Sequence, residues 1–476
     1  MYSDSLDPAF SIDGVTAYHG HVLDVLAALP EQSVSCVVTS PPYWGPRNYK
    51  GESTLWGGDP NCHHVWGDAC IVTRVAGGGE RPRQTKWQSG PDYDASTVSA
   101  TCASCGAWSG QYGQEPTPEM YVEHSMMVFD ELWRVLRDDG VLWWNLGDSS
   151  NANYRGGGPA NSSQKQLSNR GTVPFMARSA PRVAGMKPKD LMLIPFTIAQ
   201  AGRARGWYIR STVIWDKPNA FPESVKDRPT DSFEYIFMFT KQQHYWYDWL
   251  AVSEPSTEVA HANTSRNLRA VWRFPTQPYP GGHFAVFPIE LPRRCIAASC
   301  PAEICLRCGR PRERIVEKVT HYEGGSGRAG RSAEDLNATG KWRGGTSGKN
   351  IKRGPVIECE TVGWTDCGCG AEFVPGIALD PFGGTGTTGL AARELGRDCI
   401  LIECADEYLQ QMYDRLTIGD AEIRRRVKAE REAKRNDPEE REIEAALTKM
   451  AGHSKVHGGF RHQVEADRAA RGHYVT

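Results

Sequence analysis

Short apolar, β-branched runs alternate with helix-like stretches along most of this chain, and that alternation constrains the fold more than any other feature. The clearest runs are Val34–Thr39, Val141–Leu146, Ile209–Trp215, Tyr235–Thr240, Ile377–Asp380 and Cys399–Glu403. Each is long enough for a buried strand and is bounded by turn residues. The clearest helix is predicted over Pro118–Leu136, with Thr117 as its cap, Pro118 in its first turn and Gly140 after its end. Leu379-Asp380-Pro381-Phe382, a Gly/Thr-rich turn and then Thr388–Leu395 read as strand, loop and helix. Strands that alternate with helices argue for an α/β fold around a doubly wound, mostly parallel sheet.

The 476 residues suffice for one large core with smaller units appended. Three stretches fall outside the alternating pattern: the Cys-, His- and Gly-rich segment 45–110, the Gly/Ser/Asn-rich segment 151–185, and 300–370, where more cysteines flank a basic, Gly-rich loop. The division expected from this is a first core part, 12–50, a ribbon insertion, 51–112, and a core continuation, 113–299. A second ribbon, 300–372, a further core part, 373–418, and a charged helical tail, 419–476, follow. Within the continuation, 151–186 reads as a mobile loop. The net charge is −2, so a nucleic-acid partner requires local basic patches rather than an overall cationic chain. No apolar run reaches the ~18 residues of a membrane span. The polar start Met1–Phe10 is unlike a secretory signal, so a cytosolic protein is expected.

One motif follows a strand directly: Thr39-Ser40-Pro41-Pro42-Tyr43-Trp44. The C-terminal end of a strand is where α/β folds place ligands. Proline lacks an amide hydrogen, so this turn offers mainly acceptors. An exocyclic amine on a heteroaromatic ring is a poor nucleophile because its lone pair is delocalised. Accepting its two hydrogens at Ser40 and at the Pro41 carbonyl would free that pair. Tyr43 could stack on a base turned out of a duplex. A second motif, Leu379 to Thr388, places Gly383, Gly384 and Gly386 between a strand and a helix, where the backbone can approach a ligand closely. It lacks the Gly-Lys-Ser/Thr ending of a P-loop. About 20 residues on, the next strand ends in Glu403, placed to hold ribose hydroxyls.

Asp-Pro-Phe-Gly-Gly-Thr-Gly-Thr-Thr is similar to the S-adenosylmethionine motif of amino-group DNA methyltransferases, and Thr-Ser-Pro-Pro-Tyr-Trp resembles their catalytic motif. The catalytic motif comes first, the order of the β-class. Trp215-Asp-Lys-Pro-Asn219, Glu223–Arg228 and Phe233–Thr240 resemble the later active-site strands. His283–Pro288 resembles the segment that touches the cofactor. The resemblance spans roughly 15–415 and implies a seven-stranded methyltransferase sheet. It implies transfer of a methyl group from S-adenosylmethionine to double-stranded DNA in a bacterial or phage-infected cell, as in restriction-modification. Carried over residue by residue, Ser40, Pro41, Pro42 and Tyr43 are catalytic. Asp380, Phe382, Gly383, Gly384, Gly386, Thr387, Glu403, His283, Phe287 and Pro288 bind the cofactor. Residues 245–280 lie where the family carries target recognition. The chain departs from the pattern at Gly20-His21, where many relatives have an acid near the adenine, with Asp24 three residues on, and at Phe284, where proline is commoner. Ser at position 40 is commoner among cytosine-N4 enzymes and Asp or Asn among adenine-N6 enzymes. Cytosine N4 is therefore the expected target and adenine N6 the alternative. A reading from another class, a non-catalytic zinc-ribbon DNA-binding protein, conflicts with the complete catalytic and glycine motifs.

Fourteen cysteines are many for a cytosolic chain, where clustered thiols point to metal rather than disulfides. Cys36, Cys295, Cys399 and Cys404 lie in apolar runs and read as buried hydrophobes. Cys62, His64, Cys102 and Cys105 form one pair of knuckles, with Cys70 and His63 as rivals. Cys305, Cys308, Cys367 and Cys369 form another, with Cys300 and Cys359 as alternates. Four protein ligands make a structural zinc site, so about two zinc ions per chain are expected. Arg47, Lys50, Arg310, Arg312, Arg314 and the segment 328–353 are the local basic residues available to phosphates.

Overall fold

The computed structural model describes residues 7–45, 53–67, 70–72, 97–151, 183, 185–220, 222, 226–255, 265–277, 279, 286–321 and 356–436. The mobile loop expected at 151–186, the basic loop 328–353, Arg47, Lys50, His283 and Phe284 lie wholly or largely outside them.

The apolar runs assemble into one nine-stranded sheet. Its strands, in chain order, are β1 (Phe10–Ile12), β2 (Val15–His19), β3 (Val34–Thr39), β8 (Leu136–Leu146), β9 (Tyr208–Asp216), β10 (Phe233–Thr240), β13 (Val271–Arg273), β18 (Ile377–Asp380) and β19 (Asp398–Glu403). The spatial order is β1-β2-β19-β18-β3-β8-β10-β9-β13. From β2 across to β8 every neighbour is parallel, and β10 is inserted antiparallel between β8 and β9. The expected seven strands run from β2 to β9; β1 and β13 are short additions at the edges. Sequence order reverses between β18 and β3, which makes their C-terminal ends the switch point where ligands bind in such sheets.

Side chains alternate across the sheet because successive residues of a strand point to opposite faces. On β8, Leu142, Trp144 and Leu146 enter one core and Val141 and Trp143 the other. The first core is covered by helices α1 (Val22–Ala28), α2 (Pro118–Val135) and α3 (Ile194–Ala204). The second is covered by α4 (Glu290–Ser299), α5 (Thr387–Glu394) and α6 (Asp406–Thr417). The result is a three-layer α/β/α arrangement, and α7 (Gly419–Asn436) extends the chain beyond it.

Helix α2 starts where the sequence places it. Thr117 Oγ1 accepts from the Met120 amide at 3.2 Å, a cap that stabilises a helix by about 1 kcal/mol. Its end differs from expectation. Leu136 passes straight into β8, and Gly140 lies inside that strand. A Cβ on Gly140 would come within 2.6 Å of the Leu136 side chain and 2.9 Å of the Ser35 carbonyl. Gly140 therefore serves close strand packing, and the helix needs no glycine stop.

Two insertions attach at opposite ends of the sheet. The first carries a four-stranded sheet, in order β4 (Thr54–Trp56), β7 (Trp108–Gly110), β6 (Thr97–Thr101) and β5 (Cys70–Val72), and packs beside the catalytic turn. Its Trp56 and Trp108 are buried in the first core and stack on His124 of α2, with ring centroids 5.1 and 5.3 Å away. The second carries β14 (Ile304–Cys305), β17 (Phe373–Val374) and the hairpin of β15 (Arg314–His321) and β16 (Val356–Trp364). It is tied to the other end of the sheet: the Gly376 amide, just before β18, donates to the Pro301 carbonyl, and Arg137, at the start of β8, donates to the Gly309 carbonyl. Among the described residues, no helix is long and apolar enough to cross a membrane.

Candidate functional site

The two motifs meet at the switch point because β3 and β18 are neighbours. Thr39, the last residue of β3, donates from Oγ1 to Asp380 Oδ1 at 2.6 Å. Asp380 ends β18 and is fully buried. Its Oδ2 accepts from Thr388 Oγ1 at 2.6 Å and its Oδ1 from the Phe382 amide at 3.1 Å. All these partners belong to the two motifs, so Asp380 clamps the glycine loop to the catalytic strand. Burial, helped slightly by Glu403, pushes its carboxyl up to about 7 against the hydrogen bonds that oppose the shift.

The glycine loop is held from below. A Cβ on Gly386 would lie 2.7 Å from Met412 Cγ, and its φ of +77° is one that other residues rarely adopt. Gly384 has φ +51°, and its amide donates to Glu403 Oε2 at 2.8 Å. Glu403 Oε1 accepts from the Ala405 amide at 2.9 Å, and burial raises the pKa of this carboxyl despite both amides. An acid anchored beside a loop with room only for glycine fits the ribose of S-adenosylmethionine. Phe382 stacks on Tyr112 with centroids 5.4 Å apart. Thr387 is buried and accepts from Arg415 at 2.6 Å. Arg415, which the sequence reading missed, also bonds Thr385 Oγ1 at 3.1 Å and Asp420 at 2.7 Å, locking α6 to the loop. Phe287 is packed against the second core and Pro288 is buried before α4; His283 is not described.

In the catalytic turn Pro41 and Trp44 are buried, whereas Ser40, Pro42 and Tyr43 are half-buried. Trp44 Nε1 donates to the Glu115 carbonyl at 3.0 Å, and Tyr121 Oη donates to the Pro42 carbonyl at 2.9 Å. These bonds fix the turn on the segment that joins the first insertion to α2 and on α2 itself. Ser40 Oγ donates to Tyr43 Oη at 3.0 Å, and Tyr43 Oη donates to Glu234 Oε2 at 2.7 Å. Asn145 Nδ2 lies 2.9 Å from both Tyr43 Oη and Glu234 Oε2. Lys217 Nζ pairs with Glu234 Oε1 at 2.9 Å. Residues 215–219 and 233–240 resemble active-site strands, but nothing in the sequence singles out Asn145, Lys217 or Glu234. Pairing of β10 with both β8 and β9 is what brings them together.

His21, the departure from the family pattern, stands at the start of α1 next to Glu403, since the Gly20 amide donates to the Glu403 carbonyl at 3.1 Å. Its ring meets Trp56 edge-on at 4.7 Å. Burial, opposed by Asp24 and reinforced by His124, lowers its pKa. Behind it, His124 Nδ1 and Glu115 Oε1 form a fully buried pair at 3.1 Å. The first insertion is therefore continuous with the wall of the site.

The cysteine clusters close as the spacing predicts. Ligand atoms of Cys62, His64, Cys102 and Cys105 lie within 4.8 Å of one another, and so do those of Cys305, Cys308, Cys367 and Cys369. Tetrahedral zinc with Zn–S near 2.3 Å and Zn–N near 2.05 Å requires S···S of about 3.8 Å and S···N of about 3.6 Å. Cys62 and Cys102 are 3.9 Å apart and Cys105 and His64 Nδ1 3.4 Å apart, so the first set fits zinc. Cys300, an alternate in the sequence reading, is instead buried in the second core. Arg312 and Arg314, near the second set, already have partners. Arg314 bonds Asp248 through Nε and Nη2 at 3.1 and 2.6 Å, and Arg312 lies 4.0 Å over the Phe373 ring and pairs with Glu303. They sit at the end of the sheet away from the catalytic turn, so they are not a phosphate patch for this site.

Residues 34–305 and 374–414 match the family of N6/N4 DNA methylases, and the match breaks off over the hairpin of the second insertion. The chain is 38% identical over 289 residues to the Type II methyltransferase M.XycI of Xanthomonas campestris pv. cyanopsidis, covering 60% of this chain and 73% of that one. It is 30% identical over 397 residues to the Type II methyltransferase M.SmaI of Serratia marcescens, covering 83% and 89%. Among solved structures, the PvuII DNA methyltransferase (cytosine-N4-specific) is 14% identical with a TM-score of 0.44, covering 88% of this chain and 94% of that one.

Proposed function

The chain belongs to the N6/N4 DNA methylase family, and on that footing we propose that it methylates the N4 amine of a cytosine turned out of duplex DNA. It is an S-adenosylmethionine-dependent DNA methyltransferase of the Type II group; the base, the duplex and the residue roles are the proposal. S-adenosylmethionine supplies the methyl group as a sulfonium.

The observation that carries the reading is the placement of Ser40. It stands one residue beyond the Thr39–Asp380 bond that joins the catalytic strand to the glycine loop. A base amine at Ser40 is thereby brought next to the cofactor loop. The Ser40 hydroxyl hydrogen is directed at Tyr43 and one lone pair accepts from Asn145 Nδ2 at 3.3 Å, which leaves the other lone pair to accept an amine N–H. A second N–H goes to the Pro41 carbonyl. Both bonds localise the nitrogen lone pair, and the rest of the catalysis is orientation. Tyr43, its hydroxyl tethered and its ring edge against Gly147, offers a rigid surface for the extruded base. Glu403 and the closely approaching glycine loop 383–386 hold the ribose and methionine portions. Serine rather than an acid or amide before the prolines favours cytosine. Each cysteine cluster holds one structural zinc, which orders an insertion that has little core of its own.

Transfer of tritiated methyl to duplex DNA, followed by nucleoside digestion and mass spectrometry, tests this. N4-methylcytosine is expected, and N6-methyladenine overturns the choice of base. Ser40→Ala is expected to lower transfer strongly with cofactor affinity retained; equal loss of cofactor affinity overturns the role given to Ser40.

A further inference from the structure

Resting on the placement of the target amine at Ser40, we propose that Glu234 is the terminal proton acceptor of the transfer, reached through Ser40 and Tyr43 and paired with Lys217. Three oxygens form a chain: Ser40 Oγ to Tyr43 Oη at 3.0 Å, and Tyr43 Oη to Glu234 Oε2 at 2.7 Å. Asn145 Nδ2 lies 3.3 Å from the first and 2.9 Å from each of the others, bracing all three. A carboxylate only accepts, so it sets the direction of every hydrogen in the chain. Tyr43 gives its hydrogen to Glu234, Ser40 gives its hydrogen to Tyr43, and Ser40, one lone pair accepting from Asn145, turns the other toward the amine.

The chemistry then balances along that chain. The nitrogen–methyl bond forms as the carbon–sulfur bond of the sulfonium breaks, and that electron pair stays on sulfur. The nitrogen is left with a positive charge and an acidic proton. That proton passes to Ser40 Oγ, the Ser40 proton to Tyr43 Oη, and the Tyr43 proton to Glu234 Oε2. The product amine is neutral, Ser40 and Tyr43 are restored, and one carboxylate has become a carboxylic acid.

Glu234 is suited to the task because it is half-buried yet ionised. Burial by itself would raise its pKa. The Lys217 charge and hydrogen bond, with Tyr43 and Asn145, outweigh that and hold it below the usual glutamate range. The groups that face it are Lys217 beyond β9, Tyr43 from the catalytic turn and neutral Asn145 from β8. The nearby acids on the flanking strands are engaged elsewhere: Asp148 by the amides of Ser149, Leu193 and Ile194, and Asp216 by Arg273. Lys217 is thus the cation that keeps Glu234 charged, and its loss should let burial raise the carboxyl.

Glu234→Gln keeps an acceptor for Tyr43 but cannot take a proton. Single-turnover methyl transfer, cofactor and DNA affinities, and the pH–rate profile are measured for this variant, Lys217→Met and Ser40→Ala. The expected loss in Glu234→Gln is about 100-fold in the transfer rate, the lower range for a positioned base, with both affinities within about two-fold of the parent. Lys217→Met is expected to move the acid limb of the profile to higher pH, a shift that a merely structural role does not produce. Infrared spectra of Lys217→Met without cofactor should show a carboxylic-acid carbonyl band at neutral pH that Lys217→Met/Glu234→Gln lacks. A Glu234→Gln rate within about three-fold of the parent, or an unmoved acid limb in Lys217→Met, overturns the relay. If Ser40→Ala is crippled while Glu234→Gln is not, the relay fails and the site stands. If Ser40→Ala transfers normally, the site assignment fails with it.

Discussion

Asp380→Asn should change how stability depends on pH, and the sign follows from its burial. The carboxyl accepts hydrogen bonds from Thr39, Thr388 and the Phe382 amide, yet burial still carries it from 3.8 to about 7. A pKa raised in the folded state means that the native protein holds the proton more tightly than the unfolded chain. The stability this contributes is fully present below the unfolded value of 3.8 and is lost as pH rises through about 7. Roughly three units at 1.36 kcal/mol each make a swing of up to about 4 kcal/mol between pH 4 and pH 8. Asparagine has no such swing. The hydroxyls of Thr39 and Thr388 can rotate to suit its amide, so at pH 4–5 the variant should be less stable by about 1 kcal/mol, one imperfect hydrogen bond. At pH 8 that deficit should vanish or reverse. Urea unfolding of parent and variant, followed by tryptophan fluorescence at pH 5 and pH 8, measures the double difference, in which all other titrating groups cancel. A parent–variant gap that is constant with pH to within about 0.5 kcal/mol would refute the reasoning, because that is the limit of ordinary additivity.

Glu403→Ala should weaken S-adenosylmethionine binding about 10- to 150-fold, the loss of charge-assisted bonds to the ribose worth roughly 1.5–3 kcal/mol; unchanged affinity in calorimetry would remove Glu403 from the cofactor site. Gly386→Ala should cost at least about 1–2 kcal/mol, from the left-handed backbone alone, before the overlap with Met412. A melting temperature equal to the parent's would contradict it. Elemental analysis should find two zinc ions per chain in protein purified without chelator. Cys105→Ser should impair methyl transfer, because the first insertion stacks Trp108 on His124, whose partner Glu115 holds Trp44, whereas Cys369→Ser should release one zinc and leave transfer intact. Loss of activity in both variants alike would contradict the separation of the two insertions.

Much of this architecture is legible in the residues. Six apolar runs are strands, and four of them, β3, β9, β18 and β19, lie within a residue of their expected bounds. The Gly383–Gly386 turn and both cysteine clusters are local in sequence or defined by spacing, so their chemistry shows without a fold. The edge strands β1 and β13, the strand β2 beside β1 and the helix α4 are too short or too mixed in composition to stand out. Gly140 was misread as a helix stop because a glycine that follows a helical pattern looks the same whether it ends the helix or makes room for a neighbouring strand.

The sequence by itself determined the strand–helix alternation, the order of the catalytic and cofactor motifs, and the paired knuckles of the two cysteine clusters, since each depends on periodicity or on residues close along the chain; the choice among the rival ligands came with the fold. Only the tertiary structure decided that Asp380 faces Thr39, that Arg415 locks the glycine loop, and that the second insertion stands at the end of the sheet away from the site. It alone assembled Ser40, Tyr43, Asn145, Lys217 and Glu234 from three strands and a turn. The physical reason is that an antiparallel strand inserted between two others sets which side chains become neighbours through its register. Cross-strand register arises from the packing of the whole sheet, and no local stretch of residues encodes it.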